Sequence, residues 1–574
     1  MQGQAAVRLE LALTGALGAV LLWGVVEALD RGRIGDYPAL VLAGLILTLT
    51  GATLAMAGPL SLTRAAVRAL GLALIVGGLL WLTRLRYGEV QQFFSSPLPS
   101  FAAITVATLP VPFLVAGGKS RWNDYPALFL EAWSIALRLT AAMTFTGLVW
   151  LVLFLSDAVL GIVGITLIGQ LFDKELAMLL ISGAALGLGM AVIHDIADIV
   201  SPYVLLRLLR LFLPVVLGVM AIFLLALPLR GLDGLIGGLS PAMLLLVMTG
   251  AGITLTSITI DQSDDSAAQS PALIRAAQGM ALILPLFAGL ALWAIWLRIG
   301  QHGLSPGRIF VALVGLVGLG YGLLYAWSVL RGAGWRERIR QGNIRMVLVV
   351  IALAALSLTP VLNAERISAR NQLARYLDGR AGVEALDPWV LRSWGLPGAE
   401  VLAELEALAA KPGQEALAER LAGGSAAEPQ AADLAQRLAV VMPVQPKTAT
   451  GTRDTLLPAL ETWQMQDWLL ACDRPAAEGP PPCLMVVADL MPALPGEEAV
   501  VLLDRGADYV EIVGLFLDNL GRTQQRRLVH PDGRTVTAEE ARQLLDSYRL
   551  APPPLSPAFL NQIGTGEDGL VVLP

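Results

Sequence analysis

Two cysteines and three histidines are the only thiol and imidazole groups in a chain of 574 residues. A structural zinc site needs four ligands of such kinds, and a catalytic site three. His194, His302 and His530 are far apart in the sequence, so neither a zinc site nor any other metal centre is expected. There is no G-x-S-x-G elbow, H-E-x-x-H pair, Walker loop or dinucleotide fingerprint. No cofactor is implied and no catalytic motif is recognised, although an enzyme built from scattered carboxylates and arginines stays possible. Charge is scarce as well: 15% of residues are charged and 55% are hydrophobic, far from the balance of a soluble globular protein. Beyond Asn363 the chain lacks any apolar run long enough to cross a bilayer. The first apolar stretch, LALTGALGAVLLWGVVEAL, has no clear small-residue cleavage site after it and reads as a retained helix, not a removed signal.

What the sequence does contain is apolar windows of about twenty residues. They predict eleven spans, near 9–29, 38–59, 67–84, 98–117, 133–155, 175–195, 204–228, 239–258, 272–297, 306–329 and 344–362. The fourth carries Pro110 and Pro112, and 157–172 is expected to lie in the interface or re-enter. Arg331, Arg336, Arg338, Arg340 and Arg345 crowd the approach to the last span, and short arginine-rich loops stay in the cytoplasm. An odd number of spans then puts the N-terminus inside and the C-terminal part in the periplasm. Gly183 with Gly187, and Gly318 with Gly322, each share a helix face; close helix packing is the plain reading and a substrate path the alternative. The piece GLDGLIGG (231–238) reads as loop or interface material.

Up to Asn363 there are 22 basic and 17 acidic residues, and beyond it 18 and 29. An acidic tail without clustered positive charge argues against nucleic acid as a partner. The tail begins with short amphipathic helical runs, the first capped by Asp387 with Pro388 behind it. Later, CLMVVADL, EAVVLLD, YVEIVGLFLD and QQRRLVH read as strands of a small antiparallel sheet. TAEEARQLLDSYR carries a capping box from Thr537 to Glu540, and GLVVLP reads as an edge strand.

The stretches LFLPVVLGVMAIFLLALPL, GLSPGRIFVALVGLVGLGYGLLYA and LNAERISARNQLARYL resemble an uncharacterised bacterial family of multi-pass membrane proteins carrying a domain of unknown function. The resemblance covers most of the membrane half and the start of the tail, and it implies no activity. VADLMPALPGEEAVVLL is similar to the loop and strand of calcium-binding integrin-type repeats. Met491, Ala493 and Leu494 stand where oxygen ligands would be needed, so no calcium is expected.

Three groups of residues could carry function. His194, Asp195 and Asp198 lie at the end of span six, opposite Arg207 and Arg210 at the start of span seven. They could form a proton or ion relay, a headgroup site, or only a solvated clamp. Glu131 and Arg138 share a helix face, about 10.5 Å apart along the axis, beyond direct pairing. An interfacial helix over 127–137 with Arg138 snorkelling is the plainer expectation, and a buried partner for either charge the functional one. Cys472 and Cys483 could close a disulfide around a proline-rich loop in an oxidising periplasm, or stay two buried thiols.

The expectation is a polytopic α-helical membrane protein, with about eleven transmembrane helices, and a C-terminal soluble α+β domain. Its divisions are 1–363, a transmembrane bundle; 364–445, a helical subdomain; and 446–574, a small α+β domain. Transport or translocation in a bacterial inner membrane is the leading function, with an envelope sensor or scaffold second and an enzyme on lipid-linked substrate third. The expected partners are the lipid bilayer and a periplasmic protein or envelope ligand.

Overall fold

The computed structural model describes residues 2–117, 121–162, 167–172, 174–196, 202–230, 241–425, 431–472, 482–491, 496–505, 510–517, 523–528, 536–556, 562–563 and 570–571. It forms two compact units, Met1–Leu421 and Ala422–Pro574, so the helices directly after residue 363 belong to the bundle's unit.

The first unit opens with α1 (Gln2–Asp30), α2 (Asp36–Met56) and α3 (Leu62–Leu82). Then follow α4 (Val90–Phe94), α5 (Pro97–Thr108), α6 (Val111–Ala116), α7 (Tyr125–Ile162) and α8 (Leu167–Phe172). Next come α9 (Glu175–Ile196), α10 (Pro202–Arg210), α11 (Phe212–Arg230) and α12 (Pro241–Ile260). The series of long helices ends with α13 (Pro271–His302), α14 (Pro306–Leu330) and α15 (Trp335–Ser357). The shorter α16 (Ala364–Leu377), α17 (Pro388–Ser393) and α18 (Gly395–Ala409) follow, and α19 (Glu415–Ser425) runs across the division between units.

Among the described residues eleven helical segments are long and apolar enough to cross a membrane, in the order the hydropathy predicts. The fourth, Pro97–Ala116, is α5 and α6 with a break before Pro110, which has no N–H to continue the ladder. At the end of α7 the chain folds back: the Phe172 ring of α8 lies 5.6 Å from Trp150 and 5.1 Å from Phe154. Residues 163–166 and the glycine-rich piece 231–238 fall outside the described residues. The arginine-rich loop is shorter than expected, because α15 begins at Trp335 and carries Arg336, Arg338, Arg340 and Arg345 on its first three turns. Gly334, at φ +75°, supplies the left-handed turn that lets the helix start there.

Small residues set the tightest crossings. A Cβ on Gly187 would strike the Leu11 carbonyl, and one on Gly15 would strike that of Gly183, so α1 and α9 touch backbone to backbone. Gly322 of α14 meets α13 at Pro285, where a Cβ would stand 2.8 Å from the proline nitrogen. Both glycine pairs are therefore occupied by packing.

In the second unit, α20 (Ala431–Val441) precedes β1 (Val444–Gln445), α21 (Thr450–Leu456) and α22 (Thr462–Cys472). After them come β2 (Cys483–Ala488), β3 (Glu498–Asp504), β4 (Val510–Leu517), β5 (Thr523–Arg527) and α23 (Ala538–Leu550). The five strands are ordered β1-β2-β3-β4-β5, with β1 parallel to β2 and the rest antiparallel. The sheet is thus mixed, where an antiparallel one is expected. Two residues between α20 and the next turn are too few to announce a strand by pattern. Met485, Val501, Leu503 and Leu515 face Leu438, Met465 and Trp468, while Leu484, Val486 and Leu502 face Leu545 of α23. Coverage on both faces explains why β2 reads as an unbroken apolar run. GLVVLP supplies β7 (Leu570–Val571), which pairs with β6 (Gln562–Ile563) in a separate two-stranded sheet.

Candidate functional site

A helix ends with carbonyls that have no intrahelical partner and with partial negative charge, which in an apolar bundle must be met by protein groups. Arginine suits this task because its guanidinium offers five N–H donors and stays charged. The buried arginines of the first unit are spent in this way.

At one end of the bundle α12 gives way to the loop 261–270. Arg210, at the end of α10, donates to Ile258 O at 3.0 Å and Ser266 O at 3.1 Å, and pairs with the carboxylate of Asp261. Arg340 of α15 donates to Ile260 O at 2.7 Å, Asp261 O at 3.0 Å and Asp264 Oδ1 at 2.8 Å. Asp261 is fully buried with φ +51°, a conformation Asp tolerates because its short side chain bonds its own turn; Oδ1 accepts from Gln262 N at 2.6 Å. Eight residues into α15, roughly 12 Å along its axis, Asn343 accepts from Tyr325 Oη at 2.6 Å. Its Nδ2 donates to Tyr125 Oη and Ser257 Oγ, each at 3.2 Å, joining α7, α12 and α14. Arg338 takes Ser328 O at 2.8 Å and Ala333 O at 2.8 Å at the close of α14.

At the opposite end, Arg86 just past α3 bonds the Ser357 carbonyl at the end of α15 and pairs with Glu365 of α16. Tyr87 donates to the other oxygen of that carboxylate at 2.7 Å. Burial and the nearby Glu365 charge push the Tyr87 pKa well up, so its hydroxyl remains a donor at any physiological pH. Arg375 of α16 caps α13 through Gly300 O at 3.0 Å and Gln301 O at 2.9 Å. Gln372 takes His302 O and Leu304 O, and Asn371 accepts from Leu304 N at 2.8 Å. The segment NAERISARNQLARYL is therefore a clamp: Asn363 caps it, Arg375 and Gln372 close the end of α13, and Glu365 holds the Arg86 that closes α15.

The structure describes only some of the expected site residues. Arg207 is exposed and Arg210 buried, and the acid that meets Arg210 is Asp261. His194 and Asp195 occupy the last turn of α9, with side chains outside the described residues, and Asp198 lies outside them altogether. Glu131 and Arg138 sit on one continuous α7, not on a separate interfacial helix. Arg138 does not snorkel: it is 2% exposed and donates to Ala55 O at 2.9 Å and Ala57 O at 3.0 Å, closing α2. In the second unit the Cys472 and Cys483 sulfurs are at bonding distance, 2.14 Å, tying the end of α22 to the start of β2. In the loop compared with calcium-binding repeats, Glu498 turns inward and accepts from Leu490 N at 2.7 Å and Met491 N at 3.0 Å; Ala493 and Leu494 lie outside the described residues. Among the described residues no three His, Cys, Asp or Glu side chains gather as a metal-binding group.

Sequence reasoning missed Asp261, Arg340, Asn343, Arg86, Glu365 and Arg375. The available signal was the alternation of arginines with predicted helix ends, each of which needs a donor. Comparison with family models, curated proteins and solved structures finds no match.

Proposed function

We propose that the protein is a multi-pass component of a bacterial inner membrane whose helical bundle is a fixed anchor, and whose second unit recognises a periplasmic protein or other envelope ligand. The observation that carries the anchor role is the commitment of Arg86, Arg138, Arg210, Arg340 and Arg375 to main-chain carbonyls at helix ends. A transport path needs charges free to meet a solute, and these are engaged in holding helices in register. The occupied glycine pairs support the same reading.

Insertion into lipid is supported by the apolar surface of the bundle. On α11, Val215, Val219, Ile222 and Leu225 are all exposed, a stripe that water would not tolerate. Exposed Trp81, Trp293, Trp296 and Trp389 lie toward the helix ends near Arg86, and exposed Trp122 and Trp327 toward the other, as in the aromatic belts of membrane proteins. The inside-positive approach to α15 and the odd number of spans favour a cytoplasmic N-terminus. A cysteine pair in the second unit suits an oxidising compartment. Reporter fusions after Arg380 test the orientation: alkaline phosphatase is expected to be active, and a fluorescent protein that folds only in the cytoplasm dark. The opposite pattern removes the periplasmic assignment.

A further inference from the structure

Where α13 meets α14, a cavity of about 170 Å³ opens toward the segment leading into α17. It is several times the ~30 Å³ that one water occupies in the liquid, so it is room for a ligand group as well as for solvent. Its polar lining brings together His302, Ser305 and Arg308 with Gln372 and Asp387, and Trp394 contributes apolar surface. Ser305 caps α14 by accepting from Arg308 N at 3.3 Å, so the positive end of a 25-residue helix borders the cavity.

The charges lining the cavity are incompletely used. Arg308 donates through Nη1 to His302 O at 3.3 Å and Gly303 O at 2.8 Å, while its Nε and Nη2 have no partner among the described residues. Asp387, exposed at the cavity's rim, caps α17 through Oδ1, accepting from Trp389 N at 3.0 Å and Val390 N at 3.1 Å, and its Oδ2 is left open to solvent or to a ligand. A cation and a carboxylate thus line one cavity without an ion pair between them. A purely anionic ligand would leave Asp387 opposed to it, and a purely cationic one would leave Arg308 so. The cavity also sits at the level where two apolar helices end. Trp296 and Trp293, both exposed on α13, lie only ~9 and ~14 Å below His302 along the axis.

We propose that this cavity holds a zwitterionic phosphate–ammonium group of the phosphoethanolamine type. The phosphate faces Arg308 and the first turn of α14, and the ammonium faces Asp387. A lipid headgroup and a free phosphoethanolamine share this chemistry; only the lipid source rests on the membrane reading above.

The test uses full-length protein, stripped of lipid in detergent and titrated calorimetrically with dihexanoyl-phosphatidylethanolamine, dihexanoyl-phosphatidylglycerol and phosphoethanolamine. The ethanolamine lipid is expected to bind about tenfold more tightly than the glycerol lipid, the size of one charge-assisted contact. Asp387→Asn keeps a good helix cap, so its melting temperature without ligand should match the parent while the preference disappears. Arg308→Gln should weaken both lipids. Wild-type protein that does not distinguish the two lipids, or an Asp387→Asn variant that still does, overturns the proposal. Competition by free phosphoethanolamine supports the site with a soluble source, and lack of competition alongside the lipid preference supports it with a lipid source. Resistance of the protein to carbonate extraction from membranes is a separate measurement, so failure of the membrane reading is distinguishable from failure of this site.

Discussion

Arg86 and Glu365 meet with side chains 0% and 1% exposed, and Tyr87 fills the second oxygen of the carboxylate. Such a pair adds little over a well-packed apolar one, but removing one partner leaves a buried charge uncompensated. Glu365→Gln should therefore cost about 3–5 kcal/mol, and Arg86→Met added to it should recover part of the loss. Thermal unfolding of the detergent-solubilised variants measures this. A Glu365→Gln protein as stable as the parent would mean that the clamp does not hold the bundle end. The two residues are 279 positions apart, which is why no local pattern pairs them. By contrast Asp387 and the Thr537 capping box were legible, since a cap bonds amides two or three residues away. Asp261 was not: nothing in DQSDDS distinguishes the one carboxylate that turns inward.

At the scale of elements, the eleven apolar segments were readable from composition alone, because outward-facing and core-facing positions of these helices are both apolar. Which helices touch was not readable, apart from the glycine faces. Gly187→Leu should disrupt the α1–α9 crossing, at a cost of 1–3 kcal/mol or more, as overpacking does. Gly250→Ala, with nothing within 4 Å of its added Cβ, should be neutral or mildly stabilising. Equal melting temperatures for the two variants would contradict the backbone contact. In the second unit the strands were legible by their β-branched runs, but β1 escaped because its two residues show no periodicity. Cys472→Ser should lower the stability of that unit by on the order of 3 kcal/mol in the chain-entropy estimate for a short loop. Alkylation of the unreduced parent followed by intact-mass measurement should find no free thiol; two labels would contradict the bond.

On the largest scale, the first unit is a bundle pinned at both ends by arginines, with packed helix crossings between the pinned layers. Hydropathy could supply the number of long apolar helices, but whether the interior is a path or a solid depends on side chains meeting across long sequence separations. The most direct measurement targets Ala288 on α13, fully buried and 3.8 Å from where a Cβ on Gly318 would stand. A small Ala288→Cys change can report whether water and reagents reach the middle of the bundle. In intact membranes and in nanodiscs, a membrane-impermeant maleimide should leave this cysteine unlabelled from either side and react only after denaturation. Labelling of the folded protein from either side would contradict a static anchor and restore a solute path through the helices.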